Sequence, residues 1–386
     1  MLSIFNDYCN KKELSVNTEK TNVMIFRRKG RISSNYKFFF NNKELKIVTS
    51  YLYLGVLFTP QICFRENSKR AINKAAKASA VTNNLWAKTG VHSWENKMTL
   101  YHAIVKSTLL YAAEVWGSRY QEILEKAQVK YFKTYLFWPR NTPNYIVRRE
   151  TGVDKLSTNI LEKMLKWWVK ILQMPEERYP KICFKELKRI EFYNPLATGH
   201  NWAAQLREEL LNIGREDLYN SENPEEIKGE IESILTLHRQ KTRQEDTRRI
   251  SQSSYSDLYQ HITTGLETEP YLTFDLRIER IRTVSHLRVA SRKEIRIYTN
   301  RCSYVMNTEE ICSICNRGEE EDLTHILLTC PMYAETRAGI KQYIIENHSN
   351  DTTVKNLLTF DTEEKLNRVF NYITTCMRTR SFIRFE

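Results

Sequence analysis

Cys312, Cys315, His325 and Cys330 stand in the pattern C-x2-C-x9-H-x4-C, within Cys312-Ser-Ile-Cys315 and Thr324-His325-Ile-Leu-Leu-Thr-Cys330-Pro331. Thiolate sulfur and imidazole nitrogen are the ligands that tetrahedral zinc prefers, and a turn plus a following helix supplies them as two close pairs. Eight cysteines scattered by chance would rarely reproduce ligand spacing at both ends. All four positions are filled by protein, which indicates a structural Zn2+, since catalytic zinc keeps a position open for water. Cys302 is near enough in sequence to replace one ligand. Between the two pairs lie Glu319, Glu320, Glu321 and Asp322, with Arg317 the one basic residue beside them. Such a loop is expected to repel phosphate, so the metal is expected to seal a small fold rather than to touch a nucleic-acid strand. The helix begun at Asp322 should stop at Pro331, which cannot continue it.

A second constellation is cationic. The chain carries 59 Lys and Arg against 46 Asp and Glu, a formal net charge of +13 over 386 residues. That excess points to a polyanionic partner, nucleic acid above all. Arg70, Lys74 and Lys77 fall on one face of a helix, opposite Ile72, Ala75 and Ala76. Arg277, Arg280, Arg282, Arg288, Arg292, Lys293 and Arg296 crowd the segment before the zinc ligands, where Ile278, Ile281, Val284 and Leu287 recur at helical spacing. This describes a helix with one apolar and one basic side. The basic side is either a solvated face or a phosphate-contacting one, with Arg280, Arg288 and Arg292 the candidate contacts.

The elements that position these groups divide the chain into five segments. Residues 1–62 read mainly as β structure. Asn22-Val-Met-Ile-Phe26 is a strand closed by Arg27-Arg28-Lys29-Gly30. Asn41-Asn42 is a hairpin signal between Tyr36-Lys-Phe-Phe-Phe40 and Glu44-Leu-Lys-Ile-Val48. Tyr51 to Phe58 is a further strand, with Gly55 where a side chain would obstruct close backbone approach. Residues 63–175 turn helical. Met98, Tyr101, Val105, Leu109, Ala112 and Trp116 form one apolar stripe. Ile160, Leu161, Met164, Leu165, Trp167, Trp168, Ile171 and Leu172 form another, whose tryptophans belong to the core. Across 176–270 Pro180, Pro195 and Pro224 interrupt short helices, and the charged run from Lys241 to Ile250 suggests an exposed linker. The basic helix and zinc module occupy 271–345, and a helical tail 346–386. The fold class is therefore α+β: a small β-rich start, a mostly helical middle, and a small metal-binding module. No apolar run reaches the ~18–20 residues that span a bilayer. The N-terminus lacks the features of a signal peptide, and scattered cysteines fit a reducing compartment, cytoplasm or nucleus.

Several of these segments together resemble a known family. Leu14-Ser-Val-Asn17-Thr-Glu-Lys20-Thr21 before a strand resembles the segment following the catalytic YxDD turn in reverse transcriptases of non-LTR (LINE-type) retrotransposons. Tyr53-Leu54-Gly55-Val56 resembles their primer-grip hairpin. The stretch from Leu100 to Gly117 is similar to their thumb. His286-Leu-Arg288 and the zinc ligands followed by Pro331 resemble the C-terminal cysteine–histidine motif of jockey-like and related elements. The resemblance runs from about residue 8 to residue 340.

The resemblance implies the end of a palm, a thumb, a linker and a zinc module of an RNA-directed DNA polymerase. It also exposes a departure. Polymerisation needs carboxylates that hold two divalent ions, yet the chain contains no Asp-Asp dipeptide. The catalytic strands would precede Met1, so this chain is expected to bind nucleic acid without polymerising it. Mg2+ enters only if the catalytic region is present. Lys20 matches a lysine that approaches the triphosphate in the family; here a solvated turn lysine fits better, because no nucleotide is positioned for it. Leu54 and Gly55 are expected to shape a primer-contacting hairpin. Two alternatives stay open. One is a fragment of a complete polymerase with an upstream part; the other is a host-recruited zinc adaptor that binds protein through apolar helices.

Overall fold

The computed structural model describes residues 2–27, 30, 36–89, 93–193, 200–265, 267–299, 301–347 and 352–385. It is a mixed α+β chain in which helices dominate and strands are few and short. Arg28, Lys29 and Pro195 lie outside the described residues. The first element corrects the β reading of residues 1–62: Leu2–Lys11 is a helix, α1. Phe5 and Cys9, one helical turn apart, turn toward the sheet, with the Phe5 and Phe40 rings 5.9 Å apart and Cys9 buried. Strand β1 is only Asn22–Val23 and pairs in parallel with β3 (Lys43–Ile47), which pairs antiparallel with β2 (Phe38–Phe40). Asn41 and Asn42 take φ of 47° and 61° between β2 and β3, the two left-handed residues of a tight hairpin. Tyr51 to Phe58 is not one strand. It is a second hairpin, β4 (Tyr51–Tyr53) and β5 (Val56–Phe58), turning through Leu54 at φ 45° and Gly55 at φ 84°.

Helix α2 (Arg65–Thr89) buries Ala71 and Ala75 and leaves Ala76 exposed. The apolar stripe that follows is broken into α3 (Trp94–Leu100), a π-helical turn (Tyr101–Lys106), α4 (Ser107–Leu109) and α5 (Ala113–Trp116). Ala112, at φ 54°, marks the break before α5. The stripe packs on α6 (Gln121–Leu136), where Tyr101 donates to Gln128 Oε1 at 2.5 Å in a buried contact. Helices α7 (Asn144–Thr151) and α8 (Leu156–Gln173) complete this layer. Trp168 is fully buried and Trp167 lies at the edge of the core, as the period of α8 requires.

The charged run expected as an exposed linker is helical throughout. After α9 (Tyr179–Tyr193) and α10 (Trp202–Asn212), residues Pro224–Ser251 form one helix, α11, containing the whole Lys241–Ile250 run. Some of its charges meet other elements, while Lys241, Arg248 and Arg249 stay exposed. Asp246 takes Arg148 through both carboxylate oxygens at 2.7 and 2.5 Å, Arg239 and Arg243 reach Asp154, and Ile250 is buried. Pro180 and Pro224 sit in the first turns of α9 and α11, where no intrahelical donor is lost. Beyond α12 (Tyr259–Ile262), helix α13 (Ile278–Arg288) docks on the end of α6: Trp138 Nε1 donates to Ser285 Oγ at 2.9 Å, and Arg282 donates twice to the Tyr135 carbonyl. A hairpin follows, β6 (Glu294–Thr299) with β7 (Cys302–Asn307), whose Ile295 and Ile297 point inward. Helices α14 (Ala334–Asn347), α15 (Val354–Leu358) and α16 (Glu363–Phe385) close the chain, with α16 lying against α13 and α14.

Candidate metal centre

The metal ligands are held by backbone before any ion enters. Cys312 N donates to Glu319 O at 2.9 Å and Glu321 N to Glu310 O at 2.9 Å, so the loop is pinned as a short ladder around the first ligand pair. Asn316 and Gly318, at φ 54° and 71°, turn it back on itself. Asp322 Oδ1 accepts from His325 N at 2.6 Å and starts a π-helical turn, His325–Thr329; Cys330 N then returns to His325 O at 2.8 Å. Pro331 opens the next short turn, so the helix ends where the sequence required.

The four ligand atoms lie within 4.8 Å of one another, and Cys315 Sγ is 3.5 Å from His325 Nε2. A tetrahedron with ~2.3 Å zinc–sulfur bonds places its corners roughly 3.8 Å apart, so a small contraction would close the cluster on an ion. His325 Nδ1 is 2.7 Å from Glu319 Oε2, with Thr329 Oγ1 at 3.3 Å, which leaves Nε2 facing the sulfurs. A carboxylate behind a ligating imidazole fixes its tautomer and raises its basicity. Cys312, His325 and Cys330 are buried and Cys315 is half-buried. Burial pushes the Cys312 thiol up to about 12 and raises that of Cys330. Thiolates here need a cation's charge, and a metal would take them with release of protons. The donor set, size and burial fit a metal ion such as zinc. Cys302 is exposed on β7 and lies outside the cluster.

The acidic loop turns one of its four carboxylates inward and leaves Glu319, Glu320 and Asp322 exposed. Glu321 is buried and forked onto Arg380 of α16, with Arg380 Nη2 also donating to Ser313 Oγ at 3.1 Å. Glu319 serves His325. Glu320 pairs through its backbone with Ile311 in an antiparallel bridge and is exposed. The C-terminal helix also supplies Tyr372, which donates to Leu327 O at 2.7 Å, and Arg337 of α14 donates to Cys330 O at 2.5 Å. None of these supports was legible in the ligand spacing.

The basic candidates separate. Arg70, Lys74 and Lys77 are exposed along α2 and have no ion-pair partner among the described residues. Arg288 is a correction: its side chain is 0% exposed and its guanidinium meets Glu150 at 2.9 Å, Glu269 at 2.8 Å and the Leu358 carbonyl at 2.5 Å. A group so enclosed cannot touch phosphate. Arg280 donates to Asn367 and lies over the Phe370 ring, and exposed Arg292 pairs with Asp257. Lys126 and Lys130 of α6, which the sequence reading passed over, are exposed and have no ion-pair partner among the described residues. Their i, i+4 spacing on α6 was the available signal.

At the hairpin, Tyr111 donates to Leu54 O at 3.0 Å, and a Cβ on Gly55 would stand 3.0 Å from Tyr111 Cε1. The turn is thus tied to the helical layer while the Leu54 side chain stays exposed. Lys20 is exposed in a turn organised by Asn17, whose Oδ1 accepts from Glu19 N at 3.0 Å and Lys20 N at 3.1 Å.

Among the described residues, the Cys312–Cys315–His325–Cys330 cluster is the one group of three or more such side chains placed to share a metal ion. No helix among them is long and apolar enough to cross a membrane. No family model, curated protein or solved structure matches the chain.

Proposed function

We propose that this chain is the thumb-and-zinc-module portion of a non-LTR retrotransposon-type reverse transcriptase. It works as a nucleic-acid-binding unit whose C-terminal lobe is sealed by one structural Zn2+. The observation that carries the zinc assignment is the closed, buried three-cysteine, one-histidine set with Glu319 behind His325. A shell filled by protein has no position for substrate, so the ion stabilises rather than reacts. The nucleic-acid assignment rests on the net charge of +13 and on exposed cations of α2, Arg70, Lys74 and Lys77, that have no ion-pair partner among the described residues. The tether from Tyr111 to the Leu54–Gly55 turn supports a primer-grip role for the hairpin.

No polymerase chemistry is assigned to the chain by itself. The two-ion mechanism needs paired carboxylates, and Mg2+ belongs with a polypeptide that supplies them. The test combines zinc quantification with fluorescence anisotropy of labelled RNA and primer–template at several salt concentrations. One zinc per chain, and log affinity falling linearly with log salt, are expected. Stoichiometric zinc with no nucleic-acid affinity would instead favour a protein-binding adaptor. Metal-dependent primer extension that a mutation within this chain abolishes would refute the binding-only assignment.

A further inference from the structure

Resting on that nucleic-acid reading, we infer that the cavity between β5 and helices α8, α9 and α10 takes one unstacked base of a single strand, with Arg119 on the adjoining phosphate. The cavity encloses about 350 Å³, near the lower end of ligand-site volumes. Its walls are aromatic: Phe58, Phe64, Trp116, Trp167, Phe184 and Trp202. Phe58 meets Phe64, and Phe184 meets Trp202, edge to face. These two contacts hold rings from separate elements at fixed angles around the space. Every nucleobase has a π face, so such walls accept any of the four.

The polar groups decide between a base and a purely apolar guest. Among the described residues, Arg119 is the one Lys, Arg, Asp or Glu of the lining, so no carboxylate accompanies it there. It donates to His200 Nδ1 at 3.1 Å and is otherwise open at the mouth. The Gln205 side-chain amide lines the cavity and has no hydrogen-bond partner among the described residues. It offers a donor and an acceptor to a base edge. An anion next to a flat ring with polar edges describes a nucleotide in a strand. Helix α2 begins one residue after Phe64 and carries Arg70, Lys74 and Lys77, so a strand leaving the cavity has further cations on that helix.

Cys183 is exposed and lines the cavity, which makes it a reporter. The zinc-loaded full chain is treated briefly with N-ethylmaleimide, with and without single-stranded oligouridylate or a duplex RNA hairpin. Mass spectrometry follows Cys183, with exposed Cys302 as internal control. Single-stranded RNA is expected to slow Cys183 alkylation several-fold, duplex to leave it unchanged, and Cys302 to react equally throughout. Cys183→Trp fills the cavity from an exposed position and should lower single-strand affinity roughly tenfold, the contribution of one stacked base. Its duplex affinity, zinc content and helical circular dichroism should stay as in the parent. Arg119→Gln should reduce the single-strand salt slope by about 0.7. Bound single strand with Cys183 alkylated at its free rate, and undiminished binding by Cys183→Trp, would overturn the base site while leaving the nucleic-acid reading intact. Protection by a fatty acid such as laurate and not by RNA would overturn it in favour of an apolar ligand. Failure of both nucleic acids to bind would overturn the base site and the reading beneath it.

Discussion

Replacing Arg288 with Met separates a buried structural cation from a nucleic-acid contact. In the native protein its guanidinium holds Glu150 and Glu269 together and donates to the Leu358 carbonyl, so one side chain joins α7, the segment before residue 270, and α15. Tyr271 adds a 2.5 Å hydrogen bond to Glu150. All three charged side chains are at most 1% exposed. Removing the cation leaves two carboxylates in one dry site, and stripping one partner from a buried pair costs about 3–5 kcal/mol. At about 1.4 kcal/mol per tenfold, the unfolding constant rises by roughly two to three powers of ten. The penalty depends on pH with a definite sign. Burial first, and the charge of Glu150 next, already raise the Glu269 carboxyl, while Arg288 opposes them. A carboxyl raised in the folded state binds protons more readily there, so its destabilisation grows as pH rises above the unfolded value of about 4.3 and shrinks as pH falls. Urea unfolding followed by circular dichroism should therefore show Arg288→Met furthest from the parent near pH 7 and closer to it near pH 5. A variant with the parent's midpoint at both pH values, but weaker RNA binding, would refute the buried network and return Arg288 to the surface.

The metal centre gives a graded pair of outcomes. Cys315→Ser with His325→Ala should abolish stoichiometric zinc by elemental analysis, whereas Glu319→Gln should keep it at about 10–100-fold lower affinity in a chelator competition. Changing Arg70, Lys74 and Lys77 together to Gln should lower the single-strand salt slope by about 2, at ~0.7 per phosphate contact, without moving the thermal midpoint. Gly55→Ala should destabilise by about 1–3 kcal/mol in urea titrations, since φ is 84° and the new methyl meets Tyr111 at 3.0 Å. Tyr111→Phe should cost less, about 1 kcal/mol for one lost hydrogen bond.

What could be read from sequence was what local spacing determines. The four metal ligands fall within one short stretch, so their pattern carried the cluster directly. Asn41-Asn42 specified a turn by left-handed backbone, and the period of α8 placed Trp168 in the core. The fate of a charge was not legible, because it depends on partners distant along the chain. Arg148 meets Asp246 across 98 residues and Arg288 meets Glu150 across 138, so single arginines that looked solvated are internal struts. The hairpin of β6 and β7 was available in the alternation of Glu294-Ile-Arg-Ile-Tyr-Thr299, but the density of arginines drew attention to a helix instead. Helix α1 was overlooked because its apolar residues are mostly exposed, with Ile4, Phe5 and Tyr8 on the surface and Cys9 alone buried.

These internal pairings change where a polyanion would bind. Arg280, Arg282 and Arg288 all spend their donors on protein groups, and Arg292 and Arg296 sit beside carboxylates. Glu321 is drawn inward to hold α16, whereas Glu319 pairs with His325 and stays exposed beside Glu320 and Asp322. The acidic loop thus keeps a negative outer face, and the exposed Arg292, Lys293 and Arg296 each lie beside a carboxylate. Exposed cations without an ion-pair partner among the described residues include Arg70, Lys74, Lys77, Lys126 and Lys130 on α2 and α6. The same rearrangement makes the metal module part of the C-terminal lobe rather than a bead on a linker. An ion closing the cluster would fix His325 and the loop that carries Glu321, and Glu321 pairs with Arg380 of α16. Metal binding would thereby be linked to the docking of a helix that packs on α13, the same helix whose Arg282 holds the end of α6.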